Sequence, residues 1–409
     1  MRITGKKLGA TATATVAVAV AALILSGCSA TSGGGGTSTP ATGTPIKVAA
    51  LSGLTFFPEA PQAVKAVFDD YNAAGGFNGH PLQYQVFDDK TDPAVSSTAA
   101  KDALNSGAVA LVGSSSLLDC AVNHKTWEDN NIISIQGTGV DPFCFTTPNI
   151  APANDGPYFD AFATLYDGSE TLGYKNICAE VVPDNDAGKA AYQGAIDAWS
   201  AKTGKKLAYS DFSLTRGQAS YAGNVAALKS HNCGAVMITE VGPAVTAFIG
   251  EASNQGLKIP FLVLTSCYSD EFAKGISYAG DIHLPAEFSP FTDPKDKSNT
   301  DWAKVMDAHQ VPKTSFAQGG YLAAKYFIAI LKTVKGKVTR DSFTAAAKAM
   351  TTPVNNPMVA TPWIFGPGDT HQANKSAWPV EIKKNTSEWT SLGPWLKGDE
   401  IGWVDTKQP

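Results

Sequence analysis

The sequence predicts an α/β protein built from two doubly wound parallel-sheet lobes that are joined by a multi-strand hinge. Between residues 46 and 135, short apolar runs alternate with helix-like segments in the order βαβαβαβ, and the alternation resumes at residue 177. Short apolar runs bounded by turn residues are typical of buried strands, and their alternation with helical periods indicates parallel sheets covered by helices. Two consecutive series therefore predict two lobes.

The first series has clear boundaries. Strands are predicted at 46–51, 82–88, 108–112 and 132–135. The spacing of Val64, Val67, Phe68 and Tyr71 predicts the first helix, and further helices are predicted at 92–106 and 119–130. Gly75-Gly76 ends the first helix. Asp92-Pro93 begins the second, because an aspartate accepts from free N–H groups and proline suits the first helical turn.

The second series begins with a helix at 157–172. Strands follow at 177–182, 206–211, 236–239 and 259–264, and helices at 186–203, 220–230 and 245–255. After Asp281 we predict a further strand, helices at 302–309, 316–334 and 341–350, and a final stretch of short strands and loops. The chain after the second series therefore has to contribute to both lobes. We assign 46–152 and about 286–370 to the N-lobe, and 153–285 and about 371–409 to the C-lobe.

The N-terminal segment indicates export. Arg2, Lys6 and Lys7 precede an apolar stretch that reaches Leu25, the order typical of a signal peptide, here residues 1–27. The motif Leu25-Ser26-Gly27-Cys28 resembles a bacterial lipobox, which implies lipidation at Cys28. Residues 28–45 are rich in Gly, Ser, Thr and Pro and predict a flexible tether. We expect an extracytoplasmic protein, lipid-anchored to the bacterial cell membrane; a plain signal peptide or a retained membrane anchor is the alternative.

Five further cysteines favour disulfides in an exported protein. Cys120 and Cys144 both fall just beyond likely strand ends on the same rim, which makes them the preferred pair. Cys178 and Cys233, both at the starts of likely strands, form the second pair, so that Cys267 is free. The alternative is that these residues are simply small buried apolar side chains.

Composition and motifs exclude several classes of function. A net charge of −5 with scattered Lys and Arg gives no basic face for nucleic acid. The six histidines have no metal-like spacing, and the chain lacks a P-loop, an HExxH motif, a GxSxG elbow and a dinucleotide fingerprint. We therefore expect no metal, no cofactor and no enzymatic activity. We also expect the protein to be a monomer.

Several local patterns together carry a resemblance to a known family. The chain resembles the type I periplasmic binding proteins, specifically the branched-chain amino acid receptor group that binds Leu, Ile and Val, over nearly the whole body from Ile46 onward. The patterns are Tyr71 to Gly79 (YNAAGGFNG), Phe87 to Pro93 (FDDKTDP), Ala110 to Ser116 (ALVGSSS), Ala252 to Leu257 (ASNQGL) and Gln318 to Ala324 (QGGYLAA).

The resemblance implies transport or chemosensing rather than catalysis. The expected function is that of a solute-binding receptor of an ABC importer, which closes on a small polar ligand and is recognised by an ABC permease in the membrane. A ligand-sensing subunit for a membrane signalling partner is the alternative, and a lipid-anchored hydrolase is a more remote one.

Candidate ligand contacts follow the strands, because ligands of open α/β sheets bind outside the carboxyl ends of the strands. In the N-lobe the candidates are Ser114, Ser115, Ser116, Gly137 and Thr138, whose hydroxyl and N–H groups suit an anionic or carbonyl oxygen. Phe56 and Phe57 could pack on an apolar part of the ligand. Alternatively, the serines cap the helix near Asp119 and the phenylalanines pack in the hinge or core.

In the C-lobe the candidates are Asn185, Asp186, Glu240, Thr265 and Tyr268. An acid among them could meet a ligand cation, whereas helix capping by Asp186 is the alternative. By the resemblance, an acid that holds a ligand ammonium would fall near Thr265 and an aromatic near Ala187, and neither is present. The ligand therefore stays open among amino acid-like molecules, amides and carboxylates.

Overall fold

The computed structural model describes residues 39–368, 371 and 374–403. The predicted signal peptide, the lipidation site Cys28 and the first part of the tether lie outside these residues. Among the helices of the described part, none has the length and apolarity needed to span a membrane.

The first sheet is parallel throughout and has the strand order β2-β1-β3-β4-β5. Its strands are β1 (Ile46–Ser52), β2 (Leu82–Asp88), β3 (Ala110–Ser115), β4 (Ile133–Thr138) and β5 (Ile150–Pro152). The intervening helices are α1 (Glu59–Ala73), α2 (Pro93–Asn105), α3 (Asp119–Asp129) and α4 (Phe143–Thr146). Asp92 caps α2 as predicted, since its carboxylate accepts from the N–H groups of Ala94 and Val95.

The second sheet is mixed, with the order β7-β6-β8-β9-β10-β11-β12 and β13 paired to β11. Its strands are β6 (Ile177–Glu180), β7 (Tyr209–Asp211), β8 (Ala235–Ile238), β9 (Phe261–Val263), β10 (Ile282–Ala286), β11 (Ser376–Ile382), β12 (Thr390–Ser391) and β13 (Leu396–Lys397). Its helices are α5 (Pro157–Tyr166), α6 (Asp186–Thr203), α7 (Ala222–Ser230), α8 (Gly242–Asn254) and α9 (Asp270–Gly275). Strands β6 to β10 are parallel, and β11 runs antiparallel to β10.

Three later helices return to the first sheet. They are α10 (Thr300–His309), α11 (Ser315–Leu331) and α12 (Arg340–Lys348), and the short α13 (Gly398–Ile401) lies near the end of the described chain. The buried side chains of α11 share one apolar core with α1, β1, β3 and β4. The second sheet has apolar cores on both of its faces. The predicted α/β class with two lobes is therefore confirmed.

Some elements differ from the sequence-based prediction. The predicted helix 157–172 is α-helical only to Tyr166 and continues as a π-helical turn, Asp167–Thr171. Between β4 and α5, the structure adds α4 and β5, which are too short to give a periodic pattern. Both predicted disulfides are present, Cys120–Cys144 and Cys178–Cys233, and Cys267 is free and buried.

The chain passes between the two sheets at three places. Residues 153–156 connect β5 to α5, Glu287 follows β10 and precedes Phe288 of the first core, and Asn374 precedes β11. The side-chain amide of Asn374 donates to the carbonyl of Glu287 at 2.7 Å, which ties two of these passages together. The exact predicted lobe boundaries stay a prediction.

Candidate functional site

A cavity with an empty volume of about 500 Å³, its opening included, lies between the carboxyl ends of the two sheets. Both lobes and the passages between them contribute to its lining. The N-lobe residues are Phe57, Leu117, Thr138, Gly139, Val140 and Phe316; the passages contribute Asn154, Gly156 and Glu287; and the C-lobe residues are Pro157, Asp160, Asp184, Tyr192, Arg216, Thr239, Val241, Leu264, Thr265 and Ser266.

Much of the cavity wall is apolar. Phe57 packs edge-to-face against Phe316 with 4.9 Å between ring centroids. Leu117 and Val140 continue this wall, and Val241 and Leu264 line the C-lobe side. Apolar walls with few polar groups are typical of cavities that bury most of a small ligand.

Two buried carboxyl groups line the cavity, and a third interacts with them from behind the lining. Asp155, Asp160 and Glu287 are each about 1 % exposed or less. Oδ2 of Asp160 accepts from the N–H of Thr265 at 2.7 Å, and Oε1 of Glu287 accepts from the hydroxyl of Ser315 at 2.6 Å. We call Asp155, Asp160 and Glu287 the carboxyl floor.

Burial raises the pKa of every member of the carboxyl floor, because a charged carboxylate loses its hydration there. The pKa of Glu287 is raised to about 7, and hydrogen bonds from Ser315 and Asn154 offset part of the effect. The pKa of Asp155 lies well above its usual range, because burial and then the charges of Glu287 and Asp160 oppose its ionisation. Burial likewise raises the pKa of Asp160 well above its usual range.

The one cationic side chain among the described cavity-lining residues is already paired. Nη2 of Arg216 lies 2.8 and 2.9 Å from the two carboxylate oxygens of Asp184, and Nη1 lies 3.1 Å from Oε2 of Glu240. Glu240 is fully buried and also accepts from the N–H groups of Gly217 and Val241. Arg216 is therefore neutralised by two carboxylates.

Two polar groups on the N-lobe side complete the site. Oγ1 of Thr138 is buried and lacks a hydrogen-bond partner within the part of the chain that the structure describes. Asp141, which follows β4, accepts from the side-chain amide of Asn185 across the cleft at 2.7 Å. Asn185 also caps α6, since its side-chain oxygen accepts from the N–H of Gly188. A direct hydrogen bond therefore joins the two lobes at the edge of the cavity.

The predicted serines lie behind the cavity wall and bond to the scaffold. The hydroxyl of Ser114 accepts from the N–H of Leu51, and that of Ser115 donates to the carbonyl of Gly113. The hydroxyl of Ser116 donates to the carboxylate of Asp89 and accepts from the N–H groups of Leu118 and Asp119, as in the capping alternative. Ligand contact by Ser114 to Ser116 stays a prediction.

The other predicted contacts are divided between the cavity and its surroundings. Phe57, Thr138 and Thr265 line the cavity, and Glu240 lies behind Arg216. Five others do not line it: Phe56, Gly137, Asn185, Asp186 and Tyr268. The cap of α6 is Asn185 rather than Asp186, and the hydroxyl of Tyr268 bonds to Thr292 at 2.8 Å.

The contacts predicted from the sequence include neither the carboxyl floor, whose pKa values are strongly raised, nor Arg216. Asp155 lies in the first passage, directly after β5, a strand that was not predicted from the sequence, and Asp160 lies in α5. Glu287 does follow β10 directly, so the rule of strand carboxyl ends could have found it once the end of that strand was placed. Arg216 lies in a loop, with no pattern that marks it.

We predict that the free energy of unfolding decreases as the pH rises from about 4.5 to about 7. Burial is the largest cause that raises the pKa of Glu287 to about 7 and of Asp119 and Asp167 to about 6. A carboxyl with a raised pKa binds more protons in the folded protein, so its stabilisation is complete below the unfolded pKa and is lost as the pH rises through the folded one.

Denaturant unfolding at pH 5, 6 and 7 measures this slope, and Glu287→Gln isolates one carboxyl. We expect the variant to lose up to about 3 kcal/mol of the wild-type decrease. Asp197→Asn, at an exposed position on α6, is the matched control and should keep the wild-type slope. An unchanged slope in Glu287→Gln would show that this carboxyl is ionised over the whole range.

Comparison with known proteins agrees with this architecture. A periplasmic binding protein family model matches residues 46–387. A search of curated proteins finds no match.

Among solved structures, the chain is similar to a fatty acid ABC transporter substrate-binding protein from Thermomonospora curvata, with 16% identity over 91% of this chain and 97% of that chain and a TM-score of 0.76. It is also similar to the leucine binding protein LivK from Thermotoga maritima, with 12% identity, 87% and 99% coverage and a TM-score of 0.72. A third similar structure is the branched-chain amino acid transporter substrate binding protein LivJ from Streptococcus pneumoniae in complex with isoleucine, with 14% identity, 87% and 100% coverage and a TM-score of 0.71.

Because their identities are 16% or lower, these solved structures show the fold alone. The family model shows the family to which the chain belongs. The model spans 342 of the 409 residues, counted from 46 to 387 inclusive, and includes both sheets. The chain therefore belongs to the periplasmic binding protein family, with the two-lobed type I fold.

Proposed function

We propose that this protein is the extracytoplasmic solute receptor of an ABC importer and that it closes its cleft around a small molecule. The observation that carries the proposal is the cavity between the lobes, which both lobes line with apolar side chains and a few buried polar groups. Family membership supports the receptor role and an extracytoplasmic location, and it supports a binding rather than a catalytic function.

The mechanism follows from the position of the cavity. A ligand that contacts residues of both lobes binds the closed form better than the open form, and it therefore shifts the population toward closure. The three passages between the sheets form the hinge of this motion. The closed surface would then be recognised by a membrane permease. The lipobox-like motif at Cys28 supports a lipid anchor that keeps the receptor near that permease.

A thermal-shift panel of amino acids, amides, carboxylates, amines and sugars identifies ligands, because binding to the folded state raises its apparent stability. Small-angle scattering with a saturating hit should then show a smaller radius of gyration. Val241→Trp, which fills the cavity, should abolish both responses, whereas Lys101→Trp on the exposed face of α2 should keep them. An unchanged radius of gyration at saturation would refute closure.

A further inference from the structure

On the basis of the proposed receptor function, we propose that the carboxyl floor binds the ammonium group of a ligand that has an apolar body and lacks a carboxylate. The ligand class is thus a protonated aliphatic or aromatic amine. Its ammonium group would lie against Asp160 and Glu287, and its body would lie against the wall formed by Phe57 and Phe316.

The balance of charge in the cavity favours a cation. Five carboxyl groups line the cavity or lie directly behind its lining: Asp155, Asp160, Asp184, Glu240 and Glu287. Arg216 is the one cationic side chain among the described lining residues, and it is paired with Asp184 and Glu240. A ligand anion would therefore oppose the ionisation of these carboxyl groups, whereas a cation can pair with them as they ionise.

A second observation, independent of charge, is that hydrogen-bond acceptors at the cavity have few donors. Thr138 lies on the N-lobe wall, and its buried hydroxyl oxygen lacks a partner among the described residues. Buried polar groups are normally hydrogen-bonded, so this hydroxyl points to a missing partner, and its lone pairs can accept from an ammonium group. A carboxylate has about four acceptor positions. Among the described residues, the donors to Asp160 are the N–H of Thr265 and, at a longer distance, the hydroxyl of Thr164. An ammonium group brings three donors.

The three serines among the predicted anion contacts are not placed to meet a ligand carboxylate. The hydroxyls of Ser114, Ser115 and Ser116 bond to the scaffold and lie outside the cavity lining. The N–H of Gly139, which does line the cavity, donates to the side chain of Asn154 at 2.8 Å. A free amino acid would therefore find several acceptors for its ammonium group, but for its carboxylate only the single hydroxyl of Thr138 among the groups considered.

The proposal also predicts how the affinity for the amine depends on pH. Burial raises the pKa of Glu287 to about 7, so this carboxyl holds a proton over part of the neutral range and an ammonium group can bind in place of that proton. Other titratable groups around the floor are Tyr192 on α6 and the buried thiol of Cys267, and the facing ends of β4 and α11 contribute uncharged Thr138 and Ser315. Amine binding should therefore release protons, so that affinity increases with pH.

A matched set of probes tests the proposal by isothermal titration calorimetry. Leucine, 3-methylbutylamine and 4-methylpentanoate share one apolar skeleton and differ in charge. We expect 3-methylbutylamine to bind most tightly of the three, and about tenfold more tightly at pH 8 than at pH 6. Titrations in two buffers of different ionisation enthalpy should show proton release.

Two variants localise the effect. Glu287→Gln keeps the shape of the side chain and removes its charge, and it should weaken amine binding at pH 8 by about tenfold or more and reduce its pH dependence. Thermal unfolding verifies that the variant is folded. Asp197→Asn, far from the cavity lining, is the matched control and should bind the amine as the wild type does.

The remaining outcomes separate this inference from the receptor function. Tight binding of 4-methylpentanoate with proton uptake would mean that protonated carboxyls donate to a ligand carboxylate. Tight binding of leucine would mean that an anion site exists. Either result overturns the amine proposal and leaves the receptor function in place. If the thermal-shift panel gives no ligand of any charge class, both proposals fail.

Discussion

Replacing Gly320 with alanine should lower the free energy of unfolding by about 3 kcal/mol or more. A Cβ atom at this position would lie 2.1 Å from the carbonyl oxygen of Ala60 in α1. The neighbouring Gly319 makes an equally close approach, in which a Cβ atom would lie 2.2 Å from the carbonyl oxygen of Gly137. Because both obstructing atoms belong to the backbone, relief requires α11 to move away from α1 and β4.

Gly250→Ala is the matched control for this prediction. Gly250 lies on the exposed face of α8, and a Cβ atom there would meet nothing within 4 Å. Alanine favours the helix over glycine, so this variant should be more stable than the wild type by about 0.5–1 kcal/mol. Denaturant unfolding of both variants measures the difference. Equal effects at Gly320 and Gly250 would contradict the close approach of α11.

The Gly320 variant should also bind ligand more weakly. Ser315, at the start of the same helix, donates to Glu287 of the carboxyl floor. Movement of α11 would therefore displace a hydrogen bond of the cavity as well as an apolar core. The stability and the ligand affinity of the protein are linked through this one helix.

Removing the guanidinium group in Arg216→Ala should lower the free energy of unfolding by about 3 kcal/mol, because the variant leaves a buried carboxylate unpaired. Glu240 is fully buried, whereas the side chain of Arg216 is 18% exposed. The expected loss is measured by denaturant unfolding at pH 7. Part of it should be recovered in Arg216→Ala combined with Glu240→Gln, because the second change removes the unpaired charge.

An exposed ion pair supplies the control for the Arg216 prediction. Lys205 and Glu170 lie 2.6 Å apart, and their side chains are 44% and 36% exposed. Lys205→Ala should therefore cost less than about 1 kcal/mol. If both variants lose the same stability, the buried position of Glu240 does not determine the cost.

The sequence predicted the fold well because its strongest signals are local. The strand β8 is a short, fully buried apolar run, and the two residues Asp92-Pro93 are enough to indicate where a helix begins. Elements such as α4 and β5 escaped prediction because four or three residues are too few for a period to appear. The π-helical turn after Tyr166 escaped because five residues are too few for a change from the α-helical to the π-helical repeat to appear in the sequence.

The site was less predictable because its residues meet through the passages between the lobes. Asp155 and Glu287 are 132 positions apart in the sequence, from 155 to 287, and they come together only where two passages run side by side. The serines were predicted from their chemistry, and they do form hydrogen bonds. A sequence shows that a hydroxyl needs a partner, but it does not show whether Asp89 or a ligand supplies that partner.

The bond between Asp141 and Asn185 affects how the receptor behaves before any solute arrives. Both side chains belong to the protein, so the bond forms whenever the lobes approach, and a hydrogen bond of about 1 kcal/mol multiplies the closed population about fivefold. A permease that recognises only the closed form would then also bind empty receptors, and the larger their closed population, the more often it would do so. For the proposed importer, the strength of this bond would thus set a background of binding to empty receptors, against which ligand-loaded receptors have to be distinguished.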